Sequence, residues 1–283
     1  MAQSKHYPRL LSCPPSLSDD YGPDGLVVRA RVGSTDGLGA FVDVESTYDA
    51  VAVEYDAWVG AGSALADPTF EELVGRIAGQ DVCSVACGQG REARYLAAQG
   101  AAVTGVDLSE NLIAIARRHE EADPLGISYL QGNAQTLEGL STGSFDGVVC
   151  YLALMDIPSL DSALQSIARV LRPGGWFVFS ITHPCFKTPA TGEVVDHTNK
   201  SVRRTVGRYF AEGYWDGPGL HRDALPIGAY HRTLSTYVDA LTRARLVIDQ
   251  LREPPLDHQP VWQEVPQLLY FRCHRSAETL SAP

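Results

Sequence analysis

Five short stretches carry residue types able to hold a ligand, and each follows an apolar run. Ala86-Cys87-Gly88-Gln89-Gly90 sets two glycines one residue apart. Glycine lets the backbone turn sharply and approach a ligand without a clashing Cβ. The free N–H groups of a helix that follows would meet an anion. Asp107 closes the next run and is suited to accept hydrogen bonds from two ribose hydroxyls. Leu108 beside it can cover the face of a ring, and Asn133 with the N–H of Ala134 can read an adenine edge. Tyr151 and His183 end the fourth and fifth runs. Taken alone, the glycine loop is a strand-to-helix turn and Asp107 a helix cap. Ser109 is the better cap, which leaves Asp107 for the ribose. Ala86, Cys87, Gly88 and Gly90 are all expected against the ligand, with the Cys87 thiol a small buried hydrophobe, like that of Cys150.

The elements that must position these residues alternate. Apolar strand-like runs at 81–86, 102–107, 127–132, 145–154 and 176–181 are separated by helical patterns at 91–99, from Ser109, and from about Ser159. In the last of these, Leu160, Leu164, Ile167 and Leu171 recur at helical spacing, and Arg172-Pro173-Gly174-Gly175 stops the helix. Strands that are apolar throughout and alternate with helices imply a parallel sheet covered on both faces. Ligands then bind beyond the carboxyl ends of the strands, so the five stretches should line one crevice. Two helices precede the sheet, one from Ser46 as N-cap and one near 68–78. Residues 183–228 read as irregular, a helix follows at 235–244, and strands at 246–251 and 267–273 suit an antiparallel hairpin.

At this point the sequence resembles a known family. VCSVACGQGREARYLAAQGAAVTGVDLSENLIAIAR is similar to the first two motifs of the class I S-adenosylmethionine-dependent methyltransferases, in particular the small-molecule, type 11-like group. GNAQTL, SFDGVVCYLALMDI and LRPGGWFVFSI resemble that family's later motifs, in order, so that the resemblance covers roughly residues 46–182. It implies a Rossmann-like, doubly wound α/β fold with a mostly parallel seven-stranded sheet and an antiparallel last strand. It implies S-adenosylmethionine as cofactor, and that Tyr48 and Tyr55 on the N-terminal helix close over it. Packing of that helix onto the body is the other role open to the two tyrosines. Ser84 and Asn133 stand where the family often has acids.

The expected organisation is a flexible arm over 1–45, lid helices over 46–80, a cofactor-binding core over 81–182, an acceptor-side insertion over 183–228, and the rest of the sheet with a tail over 229–283. Phe186, Phe210, Tyr214 and Trp215 are expected to roof the acceptor. Methyl transfer from a sulfonium needs mainly positioning and exclusion of water, with a base only if the acceptor must lose a proton. His183 is the first candidate for that base, then His231, Tyr209 and Asp156.

Composition narrows the partners. The net charge of -11 disfavours DNA or RNA. No long uncharged apolar run offers a membrane span. The six cysteines are scattered, which suits reduced thiols and a cytoplasmic protein. No spacing of His and Cys suggests a metal site. The expected partner is a small-molecule acceptor, a metabolite or natural product of secondary metabolism, with a homo-oligomer left open. Two other functions stay open: a non-methylating cyclase or binding protein on the same core, and a nicotinamide-dependent oxidoreductase. The second accounts for the glycines and the acid but not for the LRPGG turn.

Overall fold

A computed structural model of the chain describes residues 27–29, 43–60, 67–195, 201–215, 227–256 and 260–277. Most of the arm expected over 1–45, and Cys13 with it, lies outside them. In chain order the elements are β1 (Val27–Arg29), α1 (Val44–Val59), α2 (Pro68–Val74), β2 (Asp81–Val85), α3 (Arg91–Ala98), β3 (Ala102–Asp107), α4 (Glu110–Ala122), β4 (Ser128–Gln131), β5 (Phe145–Tyr151), α5 (Leu160–Val170), β6 (Leu171–Thr182), β7 (Gly192–Val195), β8 (Val202–Thr205), β9 (Gly213–Trp215), β10 (Ala229–His231), α6 (Leu234–Arg243), β11 (Leu246–Arg252), α7 (Val261–Glu264) and β12 (Leu268–Arg275). The described residues of Val42–Ile181, Ser235–Arg252 and Tyr270–Pro283 form one compact unit. Those of Met1–Phe41, Thr182–Leu234 and Glu253–Leu269 form another.

The main sheet has seven strands in the order β11-β12-β6-β5-β2-β3-β4. β6, β5, β2, β3 and β4 are parallel along their shared ladders, and β11 runs antiparallel to β12. From β2 the chain first moves outward to β3 and β4, then crosses to β5 and β6 on the other side. The strand order therefore reverses between β2 and β5, which is where a crevice opens in such sheets. The central strands have no solvent face: Val82, Cys83, Val85, Val148, Val149, Cys150, Phe177, Val178 and Phe179 are fully buried. Phe179 stacks on Phe271 of the neighbouring strand at 4.7 Å between ring centroids. Gly147 lies beside Trp176 in the β5–β6 register, and the indole occupies the place a Cβ at 147 would take.

The helices start where short polar side chains satisfy free N–H groups. Ser109 accepts from Leu112 N, Ser159 from Ser162 N, and Asp67 from Phe70 N with Pro68 at the first helical position. α1 begins a turn before Ser46, because Asp43 is the cap: its carboxylate accepts from Ser46 N at 3.3 Å. α2 stops at Gly75, short of the expected 78, where φ is +70. Along α1, Tyr48, Ala52 and Tyr55 share one face, packed against Leu112 and Ile115 of α4.

The stretch 183–228, read from sequence as irregular, contains β7, β8 and β9. β7 sits between β1 and β8 in an antiparallel three-stranded sheet, and β9 pairs with β10. Strands of three or four residues are too short to show a period, so the pattern is invisible in the sequence. Nearby, the Trp262 ring has Arg204 at 4.4 Å and Lys187 at 5.0 Å from its centroid.

Gly147→Ala should be destabilising by about 1–3 kcal/mol, the usual cost of overpacking. A fall in the urea midpoint at unchanged slope would show it; an unaltered midpoint would mean that Trp176 moves aside freely.

Candidate active site

β2 delivers the glycine loop to the point of strand reversal. Ala86 takes φ +52 and Gly88 φ +55, a left-handed region in which a residue with a Cβ is strained by about 1–3 kcal/mol. The N–H of Gly88 then points at Asp107, donating to Oδ2 at 2.7 Å. The other oxygen of Asp107 accepts from Ser109 N at 2.9 Å. One carboxylate thus ties the loop after β2 to the start of α4. It is 9% exposed, and burial pushes its pKa up to about 6, against the pull of its backbone N–H donors. An ionised carboxylate has about four acceptor sites, so two N–H donors leave capacity for sugar hydroxyls.

α1 covers this floor. Asp49 accepts from Ser109 Oγ and from Asn111 N, the latter at 3.1 Å, and so moors the helix on the first turn of α4. Tyr55 stands over the loop, its ring edge 3.6 Å from where a Cβ on Gly88 would sit. Tyr48 meets Tyr55 edge-to-face at 5.9 Å and donates its hydroxyl to Asp156 at 2.8 Å. After β5, Tyr151 donates to Asp67 at 2.7 Å, and Tyr270 donates to the same oxygen at 2.9 Å. Burial, reinforced by Tyr270 and Asp67, holds the Tyr151 hydroxyl well above the ordinary phenol range.

The result is a hollow at the strand reversal. Tyr48, Tyr55, Ala86, Gly88, Asp107, Leu108, Asn133, Ala134, Tyr151 and Asp156 line it, as expected from sequence for all but Asp156, which was expected only as a base. Leu112, Gln135, Leu152, Ile157 and Pro158 join them without any signal that singled them out. Asn133 also holds its own turn. Its side-chain oxygen accepts from Gln135 N at 2.8 Å and from Gln135 Nε2 at 3.2 Å. That oxygen holds the turn after β4, and the amide nitrogen is the end left for a ligand.

Cys87 and Gly90, expected at the ligand, are not in this lining. The Cys87 side chain turns into the core, 3% exposed, because its N–H is bound to Val106 O at 3.0 Å. Gly90 begins α3 at φ +93, and the Tyr129 phenol fills the place of its Cβ. The same phenol fills the place of a Cβ on Gly105 in β3. Gly90 is therefore required by packing.

His183, expected to face the same crevice, belongs to the other compact unit. Its backbone carbonyl accepts from Phe186 N and Lys187 N, which makes it the pivot of a turn. Its Nδ1 accepts from Cys185 N at 3.1 Å, and its Nε2 lies 2.7 Å from Glu253. With Nδ1 accepting an N–H, the proton sits on Nε2, and neither nitrogen presents a lone pair. Burial lowers its pKa, with Glu253 opposing. These contacts hold the ring within its own turn. His231 directs Nε2 at the carbonyl of Tyr209 at 2.8 Å, and the Tyr209 hydroxyl accepts from Leu234 N at 2.9 Å. All three belong to the second unit. Of the expected roof, Phe210 is 87% exposed. Among the described residues no group of three His, Cys, Asp or Glu is arranged to hold a metal; His197 and His221 lie outside them.

A parallel sheet with a glycine loop, a ribose-type acid and a covered hollow at the strand reversal defines a Rossmann-like, nucleoside-binding α/β domain. Residues 83–179 match the "Methyltransferase domain" family. A ubiquinone biosynthesis O-methyltransferase from Bordetella avium is 34% identical over 111 residues, 39% of this chain and 46% of that protein. One from Paracidovorax citrulli is 39% identical over 103 residues, 36% and 43% of the two chains. The match thus spans less than half the length of these curated relatives. An S-adenosylmethionine-dependent methyltransferase from Mesorhizobium loti is similar in structure, with a TM-score of 0.65 and 28% identity over 74% of this chain and 96% of that one. Residues 83–179 thus carry a methyltransferase domain, and the fold over 74% of the chain is similar to that of an S-adenosylmethionine-dependent methyltransferase; S-adenosylmethionine is the cofactor of such domains.

The residues present fit that cofactor: Gly88 opens a cradle that a side chain would narrow, and Asp107 brings a buried carboxylate to it. Affinity for S-adenosylmethionine should be level well above pH 6. It should fall as pH drops through about 6, because protonation removes the charge that strengthens the sugar contacts. Asp107→Ala should weaken it more than tenfold, and calorimetry that finds equal affinity would take Asp107 out of the site. The stability effect has its own sign. The folded state binds this proton more tightly than the unfolded chain, so ionisation of Asp107 removes stability as pH rises from about 4 to about 6. His183→Ala leaves a backbone N–H and the Glu253 carboxylate without a partner, and should cost about 1–3 kcal/mol. Thermal melting reads this; a melting temperature equal to that of the parent would leave His183 without a structural role.

Proposed function

We propose that this chain transfers the methyl group of S-adenosylmethionine to a nitrogen, oxygen or carbon of a small molecule. The observation that carries this reading is the hollow at the β2–β5 reversal, where Gly88, Asp107, Leu108 and Ala134 come together under Tyr48 and Tyr55. When bound, the cofactor supplies a methyl carbon: an acceptor lone pair forms the new bond to it while the carbon–sulfur pair returns to sulfur.

The chain's residues do the rest. Gly88 and Asp107 bind and orient the nucleoside end. Tyr48, Tyr55 and Tyr151 turn aromatic surface and buried hydroxyls inward, exclude water and favour a cation. The hydrogen bond from Tyr48 to Asp156 fixes a carboxylate in the lining where an acceptor's proton can be received. Membership of a metabolic pathway belongs to this proposal too, and a soluble cytoplasmic location accords with it. No helix among the described residues is long and apolar enough to cross a membrane. The net charge of -11 argues for a small acceptor over nucleic acid.

The test has two arms. S-adenosylmethionine and S-adenosylhomocysteine should each raise the melting temperature in proportion to binding, and NAD or NADP should not. Methyl-labelled cofactor incubated with an acceptor library should then yield labelled product. Stabilisation by a nicotinamide cofactor alone would replace the reading with a dehydrogenase. Tight cofactor binding with no labelled product from any acceptor would replace it with a non-methylating protein on the same core.

A further inference from the structure

Two side chains in the turn after β4 fix each other's orientation. A backbone N–H can only donate, so the side-chain atom that faces one must be an acceptor. Ser159 N donates to the Gln135 side chain at 2.9 Å, which makes that atom Oε1 and turns Nε2 the other way. Nε2 lies 3.2 Å from an atom of the Asn133 side chain, and Gln135 N donates to the same atom at 2.8 Å. That atom is therefore Oδ1. A carbonyl oxygen has two lone pairs, and here both are taken. The Asn133 amide has only its NH2 to offer the hollow that it lines.

The backbone beside it supplies another donor. Ala134 lines the same hollow, and no group among the described residues accepts from its N–H or from Asn133 Nδ2. The Gln135 Oε1 is engaged at the start of α5, where Ser159 is the cap. Adenine meets such a wall unequally. Its exocyclic amino group is a donor and finds no acceptor on Asn133. Its N1, on the same edge, is an acceptor. A donor that leaves water without a new partner weakens binding, whereas a ring nitrogen that meets an N–H keeps a hydrogen bond. An aspartate at 133 would be the opposite case. One of its oxygens would stay with Gln135, and the other would stand where the NH2 now is, as an acceptor for the amino group.

We propose that the turn after β4 holds adenine by its N1 lone pair, with the Ala134 N–H and the Asn133 amide as donors, and leaves the exocyclic amino group unread. Residue 133 thereby sets which feature of the base the site demands. This rests on the methyltransferase reading and deepens its cofactor site.

Three ligands test it by calorimetry on the full chain: S-adenosylhomocysteine, its analogue with hydrogen in place of the amino group, and its analogue with carbon in place of N1. The first two should bind within about threefold of each other, and the third at least about tenfold more weakly. Asn133→Asp should create a preference where none existed, with S-adenosylhomocysteine at least about tenfold tighter than the analogue without the amino group. Comparing the two ligands on one chain cancels any general loss of affinity in the variant. If Asn133→Asp does not fold, the series on the unaltered chain decides alone. The proposal is overturned if loss of the amino group weakens binding to the unaltered chain more than threefold, if loss of N1 weakens it less than tenfold, or if folded Asn133→Asp shows no preference. Failure of S-adenosylhomocysteine to bind the unaltered chain would instead overturn the methyltransferase reading.

Discussion

The Asp107 carboxylate is the constraint on which the site depends. It is a buried acid held by two backbone N–H groups that come from different elements, Gly88 after β2 and Ser109 before α4. Removing a charge from water is costly unless hydrogen bonds replace the lost hydration. Here the replacement bonds also fix the loop and the helix start relative to each other. The left-handed turn at Ala86 and Gly88 brings the Gly88 N–H to that oxygen. The hydroxyls of a bound sugar would add further donors to the same carboxylate.

A second set of bonds builds the roof on that floor. Residues 48 and 49 are adjacent in α1 but serve opposite ends of the hollow. Asp49 moors the helix to Ser109 and Asn111, while Tyr48 reaches Asp156 beyond β5. Asp67 does similar work lower down, receiving Tyr151 and Tyr270 on one oxygen and capping α2 with the other. In each case one short acidic side chain joins elements far apart in sequence. The lining is thereby held by hydrogen bonds in a region where the apolar core alone would leave polar groups unsatisfied.

How far the sequence spoke follows from the range of each signal. The central strands were legible because burial on both faces makes them continuous apolar runs. The caps at Ser109 and Ser159 were legible because capping is a matter of three residues. Gly88 and Asp107 were legible because the fold puts strand ends together. The partners of Tyr48 and Tyr270 were not, since they lie 108 and 203 residues away and no local pattern records them. His183 shows the limit most clearly. A strand-end position fixes where its Cα lies, but the ring follows Cys185 and Glu253, and nothing near it in the sequence announces Glu253. Gly90 was singled out for a ligand, and the structure adds a second reason for glycine there, the Tyr129 phenol beside it.

That last relation reaches beyond this one chain. The Tyr129 phenol takes up the space next to both Gly90, before α3, and Gly105, within β3. Positions in contact lose their independence, and their substitutions cease to add. Descendants of this sequence that keep an aromatic ring at 129 are confined to the smallest residue at 90 and 105. Those that shrink it gain room at both positions at once but must fill the space left behind. Three sites scattered over forty residues are therefore coupled, and a larger residue at 90 or 105 would be tolerated only in lineages where the ring at 129 had already shrunk.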